Sequence, residues 1–285
     1  MSRLLRLQLF RALRDKGTIV FGIITLVLGV LSTILNFWIF RSIGTGLFGD
    51  ITTIASMIQA TFSLTSTPLI LLIIMGVVLL YKESSWGTIR NQVVAGYSKV
   101  KIYFANFLAM LIIIFSILLA YQMIILGLGS ILGLKIDIDN SQEFLVFLRS
   151  YGLNLLILIV EVGFMTFISL YFQNIIAPIF LVIVLPIFIG PLLAYSLPIV
   201  VLLNPTDVER AKLSVSIYEY FIWYQNYSLT ANNILVDIGD FFGGQVRLYD
   251  TGSLAFILKT IFVNLGFGGL FLGLGSLVFA RKDLK

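Results

Sequence analysis

The sequence predicts an all-α, polytopic membrane protein: six transmembrane helices, an N-terminal amphipathic helix at the interface, and a short cytoplasmic segment between the second and third spans. Three observations carry that prediction. Apolar residues fill 59% of the 285 positions and charged ones 12%, with a mean hydropathy of +1.04, outside the range of soluble globular chains. Apolar runs recur at lengths near the ~20 residues that cross ~30 Å of hydrocarbon, without the period-two alternation of barrel strands. Almost all charges fall between those runs.

The six runs are roughly Thr18–Phe40, Ile54–Leu80, Ile102–Leu128, Leu148–Phe172, Ala177–Val201 and Ser253–Ala280. The first is longer than a signal-peptide core and no A-x-A-like site follows it, so a retained span is expected. With the N-terminus inside, the cytoplasmic segments hold twelve basic residues against Asp15, Glu83 and Asp283, while the outer segments hold six basic and ten acidic ones. That bias places both termini in the cytoplasm and the whole chain, residues 1–285, in the cell membrane as one transmembrane domain. The net charge of +5 is then a topology signature, and no nucleic-acid partner is expected.

Residues 1–17 read as the amphipathic helix. Leu5, Leu9, Ala12 and Leu13 form an apolar stripe at helical spacing, with Arg3, Arg11 and Arg14 opposite and Leu7 and Phe10 among the arginines. Such a helix lies flat on the inner leaflet, where Arg3, Arg6, Arg11 and Arg14 meet lipid phosphates or a partner. The plainer alternative is a positive flank that only orients the first span.

In the second run Ser63, Thr65, Ser66 and Thr67 precede Pro68. Hydroxyls can satisfy backbone groups freed by a proline, so a kinked helix is expected; a polar cavity lining through Ser66 and Pro68 is the other reading. Five of the six prolines (Pro178, Pro186, Pro191, Pro198 and Pro205) crowd the fifth run and its exit, so a straight helix is not expected there. Either ordinary kinks or a pathway lining would account for them.

The segment 202–252 is the longest outer one. Asn204-Pro205-Thr206-Asp207 signals a helix start, and Tyr218, Tyr220, Phe221, Trp223, Tyr224 and Tyr227 crowd ten positions. They suit a helix at headgroup level, a lid over the bundle, or a substrate-binding cluster. In the last run Gly269 and Gly273, four apart, predict close helix packing.

Several chemistries are missing. There is no G-x-x-x-x-G-K-[ST] phosphate loop, no Cys and no His, and no Ser/His/Asp or paired-carboxylate arrangement, so neither catalysis nor a metal site is expected in this chain. Apart from Arg149 at the edge of the fourth run, only Glu161 and Lys259 fall inside runs. Glu161 sits near the middle of the fourth, where an ionised carboxylate costs at least ~2.5 kcal/mol, so it must be protonated, paired or facing a wet interior. Lys259 can snorkel outward.

The polar island 81–101, YKESSWGTIRNQVVAGYSKVK, lies between the second and third spans and carries Lys82, Arg90, Lys99 and Lys101 against Glu83 alone. Within it Glu83, Gly87-Thr88-Ile89-Arg90-Asn91 and Gly96-Tyr97-Ser98-Lys99 lead directly into the third span. This resembles the cytoplasmic coupling segment of permease subunits of the type-2 ABC exporter family, and the ending Phe279-Ala280-Arg281-Lys282-Asp283-Leu284 is similar to that family's C-terminus. Two departures are Lys99 where arginine is common and Val94-Ala95 where Leu-Pro often stands.

The resemblance implies a coupling helix on which a separate cytosolic ATPase subunit docks. ATP and Mg would be bound by that partner and no cofactor by this chain, and a second permease copy or homologue would complete a dimer. For the docking surface the island offers Glu83, Ser84, Trp86, Gly87, Thr88, Ile89 and Arg90: Glu83 and Ser84 to cap a short helix, Trp86 and Ile89 as an apolar knob, Arg90 and Lys82 for acidic partner residues. The cargo implied is amphipathic or hydrophobic: a peptide, bacteriocin, lipid-like molecule or drug. The alternative is a proton-coupled secondary carrier using Glu161, although no inverted repeat of broken spans marks the two halves. A membrane-embedded lipid enzyme would need acid–base groups that the chain lacks.

Overall fold

Inside a bilayer the polar side chains mark the inward face of a helix better than the apolar ones, because lipid accepts any greasy surface but satisfies no hydroxyl or amide. In a computed structural model of the chain, Thr25, Thr33, Asn106, Asn154, Thr166, Thr260 and Asn264, one or two on each of four long helices, are all fully buried. The structure describes residues 2–43, 53–63, 66–85, 87–134, 141–172, 174–189, 192, 220–221, 223, 225–226, 229 and 253–282.

Among these the chain is all-helical: α1 (Ser2–Arg14), α2 (Lys16–Ile43), α3 (Ile54–Ala60), α4 (Thr67–Ser85), α5 (Thr88–Val94), α6 (Lys99–Leu132), α7 (Ser141–Tyr171), α8 (Ile176–Ile179) running into a π-helical stretch (Phe180–Val184), and α9 (Leu254–Arg281). Five of them, α2, α4, α6, α7 and α9, are long and apolar enough to cross a membrane, which makes the chain a multi-pass membrane protein. The expected fifth run, Ala177–Val201, is helical over Ile176–Ile189, too short to span alone, and most of its second half lies outside the described residues. Its distortion is a π turn two residues after Pro178, where the Leu185 N–H reaches the Phe180 carbonyl.

The second expected run is two helices and not one kinked helix. α3 ends at Ala60, and α4 restarts at Thr67 with Pro68 in its first turn, where a missing N–H costs nothing. Hydroxyls cover the break: Thr61 Oγ1 donates to the Ile58 carbonyl (2.6 Å) and Ser66 Oγ to that of Thr61 (3.0 Å).

The core lies where α4, α6 and α7 meet, around Leu72, Met75, Val77, Ile114 and Met165. α2 packs on α6 and α4, and α9 on α7 and α6, both leaving long apolar flanks outward. α6, with 34 residues, is about 51 Å long at 1.5 Å per residue. It therefore outreaches a ~30 Å hydrocarbon layer.

The glycines of α9 divide differently from the expectation. Among the described residues Gly269 and Gly273 have nothing within 4 Å of a Cβ position, whereas Gly275 lies against the Tyr103 ring, whose hydroxyl donates to the Phe271 carbonyl at 2.8 Å. Close approach inside the chain is thus at Gly275, and at Gly29, where the Tyr121 ring would be 2.9 Å from a Cβ.

Candidate functional site

Two polar seams converge at the basic end of the bundle, where α1, the end of α4, α5 and the start of α6 meet. The first fastens α1. Its buried face is Leu4, Gln8 and Ala12, seated on α6 and α2, and Leu13 is 60% exposed, so the predicted apolar stripe is rotated. The rotation follows from Arg11, which turns inward to pair with Glu83 at 2.9 Å; Arg3, Arg6 and Arg14 stay exposed, Arg14 lying over the Phe10 ring at 4.4 Å. One turn on, Lys82 pairs with Asp15 at 2.9 Å, and Asp15 also accepts the Thr18 N–H at the start of α2. Gln8 donates to Gln92 of α5 at 3.4 Å. A cavity of about 80 Å³ between these groups is lined by Arg11, Asp15, Lys82, Glu83 and Thr88. Burial pushes the Asp15 carboxyl up, but the hydrogen bond and charge of Lys82 with the N–H groups of Thr18 and Gly17 outweigh it and hold it below its ordinary value.

The second seam fastens the chain's C-terminal end. Lys99, just inside α6, donates to the Lys282 carbonyl at 2.6 Å, and Lys282 Nζ reaches the Leu170 and Tyr171 carbonyls at 2.8 and 3.0 Å, capping the last turn of α7. Burial lowers the pKa of Lys282. Ser98 caps α6 by accepting the Lys101 N–H. The Ser98-Lys99 pair thereby joins three helix ends.

Between the seams α5 stands out as a two-turn helix. Gly87 (φ 66°) and Gly96 (φ 89°) bracket it in the left-handed region that glycine occupies without strain. Glu83 and Ser84 do not cap it: Gly87 occupies the cap position without a side-chain bond, and Thr88 Oγ1 instead donates back to the Glu83 carbonyl at 2.6 Å, closing α4. Ile89 is 2% exposed and belongs to the core, so it offers no outward knob, and Lys82 and Glu83 are engaged within the chain. Trp86 lies outside the described residues. The outward face is Arg90, Asn91, Val94 and Ala95; Val94 is 81% exposed. Sequence reasoning passed over Val94, although a β-branched residue one turn after Arg90 on a short polar helix was the available signal.

A second candidate lies deep in the bundle. Glu161 of α7 is 3% exposed and faces a cavity of about 180 Å³ walled by Val160, Phe164, Phe221, Trp223, Phe267 and Phe271. Trp223 is its hydrogen-bond partner, and Glu161 Oε2 has none. Ser66 and Pro68 are not part of this lining, so the structure does not bring the three expected pathway residues together. Lys259 lies over the Tyr220 ring, 5.1 Å from its centroid.

The rest of segment 202–252 is outside the described residues, but what is described turns into the bundle. Asn226 donates to the Phe62 carbonyl (2.9 Å), and Asn264 of α9 donates to Gln225 (2.8 Å). Gln122 completes this layer, donating to Thr61 (2.8 Å) and accepting from Tyr151 (2.8 Å). No protein-family model matches the chain, and no curated protein matches it closely enough to count as a relative.

Proposed function

We propose that this chain is the permease subunit of an ATP-driven exporter of the type-2 ABC kind, working with a separate cytosolic ATPase that binds ATP and Mg and with a second permease copy or homologue. One observation carries the reading: a short helix, α5, hinged between two left-handed glycines, turns Arg90 and Val94 outward while its inner side and flanks are held through Ile89, Gln92, Glu83 and Lys82. A helix pushed from outside can move α1, α4 and α6 together only if it is fastened to them, and these contacts do that.

Parity supports six crossings: the start of α2, the end of α4, the start of α6 and the ends of α7 and α9 are tied to one another at one end, and a sixth crossing between α7 and α9 is what this reading requires. The basic residues gathered at that end make it the cytoplasmic one. The cargo is amphipathic or hydrophobic, since the cavity beside Glu161 has an apolar wall.

The test is co-reconstitution of the chain with the ATPase that co-purifies with it. Cargo movement is expected only with both subunits and hydrolysable ATP, and is lost in Gly87→Pro without loss of the folded chain. A proton-coupled carrier is the competing reading, favoured by the buried Glu161. Transport by this chain alone, abolished by a protonophore and indifferent to ATP, would establish it instead.

A further inference from the structure

We propose that the Glu161 cavity binds a small lipophilic amine: an aromatic or branched apolar body that carries one ammonium group. As the cargo pocket it rests on the exporter reading above; as a binding site it stands independently. Three features select that chemistry.

The first is size. A buried apolar cavity of ~150 Å³ is enough to admit benzene, and this one is about 180 Å³. That is room for one ring with a short chain.

The second is the wall. Phe164, Phe221, Trp223, Phe267 and Phe271 surround the space, and they brace each other: Phe164 lies 5.0 Å from Phe271 and 6.3 Å from Trp223 between ring centroids. Aromatic faces attract a desolvated cation as well as an apolar body. Phe221, 44% exposed, also lines the cavity.

The third is the carboxylate. Glu161 is 97% buried by its 3% exposure, it lines the cavity, and its Oε2 accepts no hydrogen bond. A buried acceptor without a donor is costly, and an ionised one more so. Among the described residues no basic side chain shares the lining. An ammonium placed there supplies both the missing donor and the counter-charge, whereas a hydrocarbon leaves the oxygen unpaired and a carboxylate ligand is repelled.

The experiment uses the full chain in phosphatidylcholine nanodiscs with Trp38→Phe and Trp86→Phe, which leaves Trp223 as the only indole. The probes are 2-phenylethylamine, its uncharged analogue propylbenzene, and 3-phenylpropionate. Saturable quenching by the amine is expected at a concentration at least about tenfold below that for propylbenzene, with none by the acid; a charge-assisted hydrogen bond is worth about that factor or more. Glu161→Gln should weaken the amine about tenfold and leave propylbenzene unchanged. Equal binding of amine and propylbenzene, quenching that rises linearly as in simple lipid partitioning, or indifference to Glu161→Gln would overturn the proposal. The probe comparison on the Glu161 protein decides alone should Glu161→Gln not fold. Failure to recover an ATPase partner would defeat the exporter reading and leave this result standing.

Discussion

Asp15 shows how much one short side chain can fix. It caps α2 through the Thr18 N–H and holds Lys82, and it does both as a carboxylate. Its folded pKa lies below the ordinary 3.8, so the charged form stabilises the fold fully above that value and the gain is lost as pH falls through the depressed folded one. Asparagine keeps the cap but not the charge. Asp15→Asn should therefore lower stability by about 0.5–1 kcal/mol at pH 7, the scale of a part-exposed pair. In a series of unfolding measurements that gap should hold to about pH 5 and close below pH 3.8; a gap widening toward acid would contradict the assignment. Gly275 makes a second test. An added Cβ would meet Tyr103, so Gly275→Ala should cost about 1–3 kcal/mol, while Gly273→Ala, with nothing among the described residues within 4 Å, should not lower the unfolding midpoint of the isolated chain.

At the scale of the element, α5 separates an inner from an outer face within seven residues. Ile89→Asp buries an unpaired charge in the core and should destabilise by about 3 kcal/mol or more. Val94→Asp changes an 81% exposed position and should leave stability within about 0.5 kcal/mol while abolishing recovery of the ATPase. Thermal unfolding and co-purification, read together, check the split. α1 has the same two-sidedness, and it shows where sequence stops being informative. Its helix and its arginines were legible from spacing, but the inward turn of Arg11 depends on Glu83, 72 positions away. In the long helices apolar periodicity had little to say, because the lipid-facing and core-facing sides are equally greasy. The buried threonines and asparagines carried the orientation instead. The break between α3 and α4 was signalled by Pro68, but a kink and a restart differ only in how Thr61 and Ser66 bond the backbone.

For the whole molecule, length and hydropathy made the number and order of the spanning helices readable, with the fifth run the exception. There a π turn follows Pro178, and most of the second half of the run lies outside the described residues. The polar island was legible as a unit because charge between two apolar runs has only one place to go. The Glu161 cavity was not, since its walls come from α7, α9 and the segment around Trp223, far apart in the chain. Taken together, the two seams make the basic end a single block: α1, α4, α5 and α6 joined through Arg11, Asp15 and Gln8, and α6, α7 and α9 through Lys99 and Lys282. On the proposed exporter reading, these ties are the route by which a push on α5 would reach both sides of the bundle. The most direct measurement places a photo-activatable cross-linker at Val94, and separately at Ile89, in cells that make the chain at its native level. The account predicts that Val94 captures a soluble protein with a phosphate-binding loop and that Ile89 captures only this chain's own helices. Labelling of Val94 by lipid alone, or by a partner on the opposite side of the membrane, would contradict it.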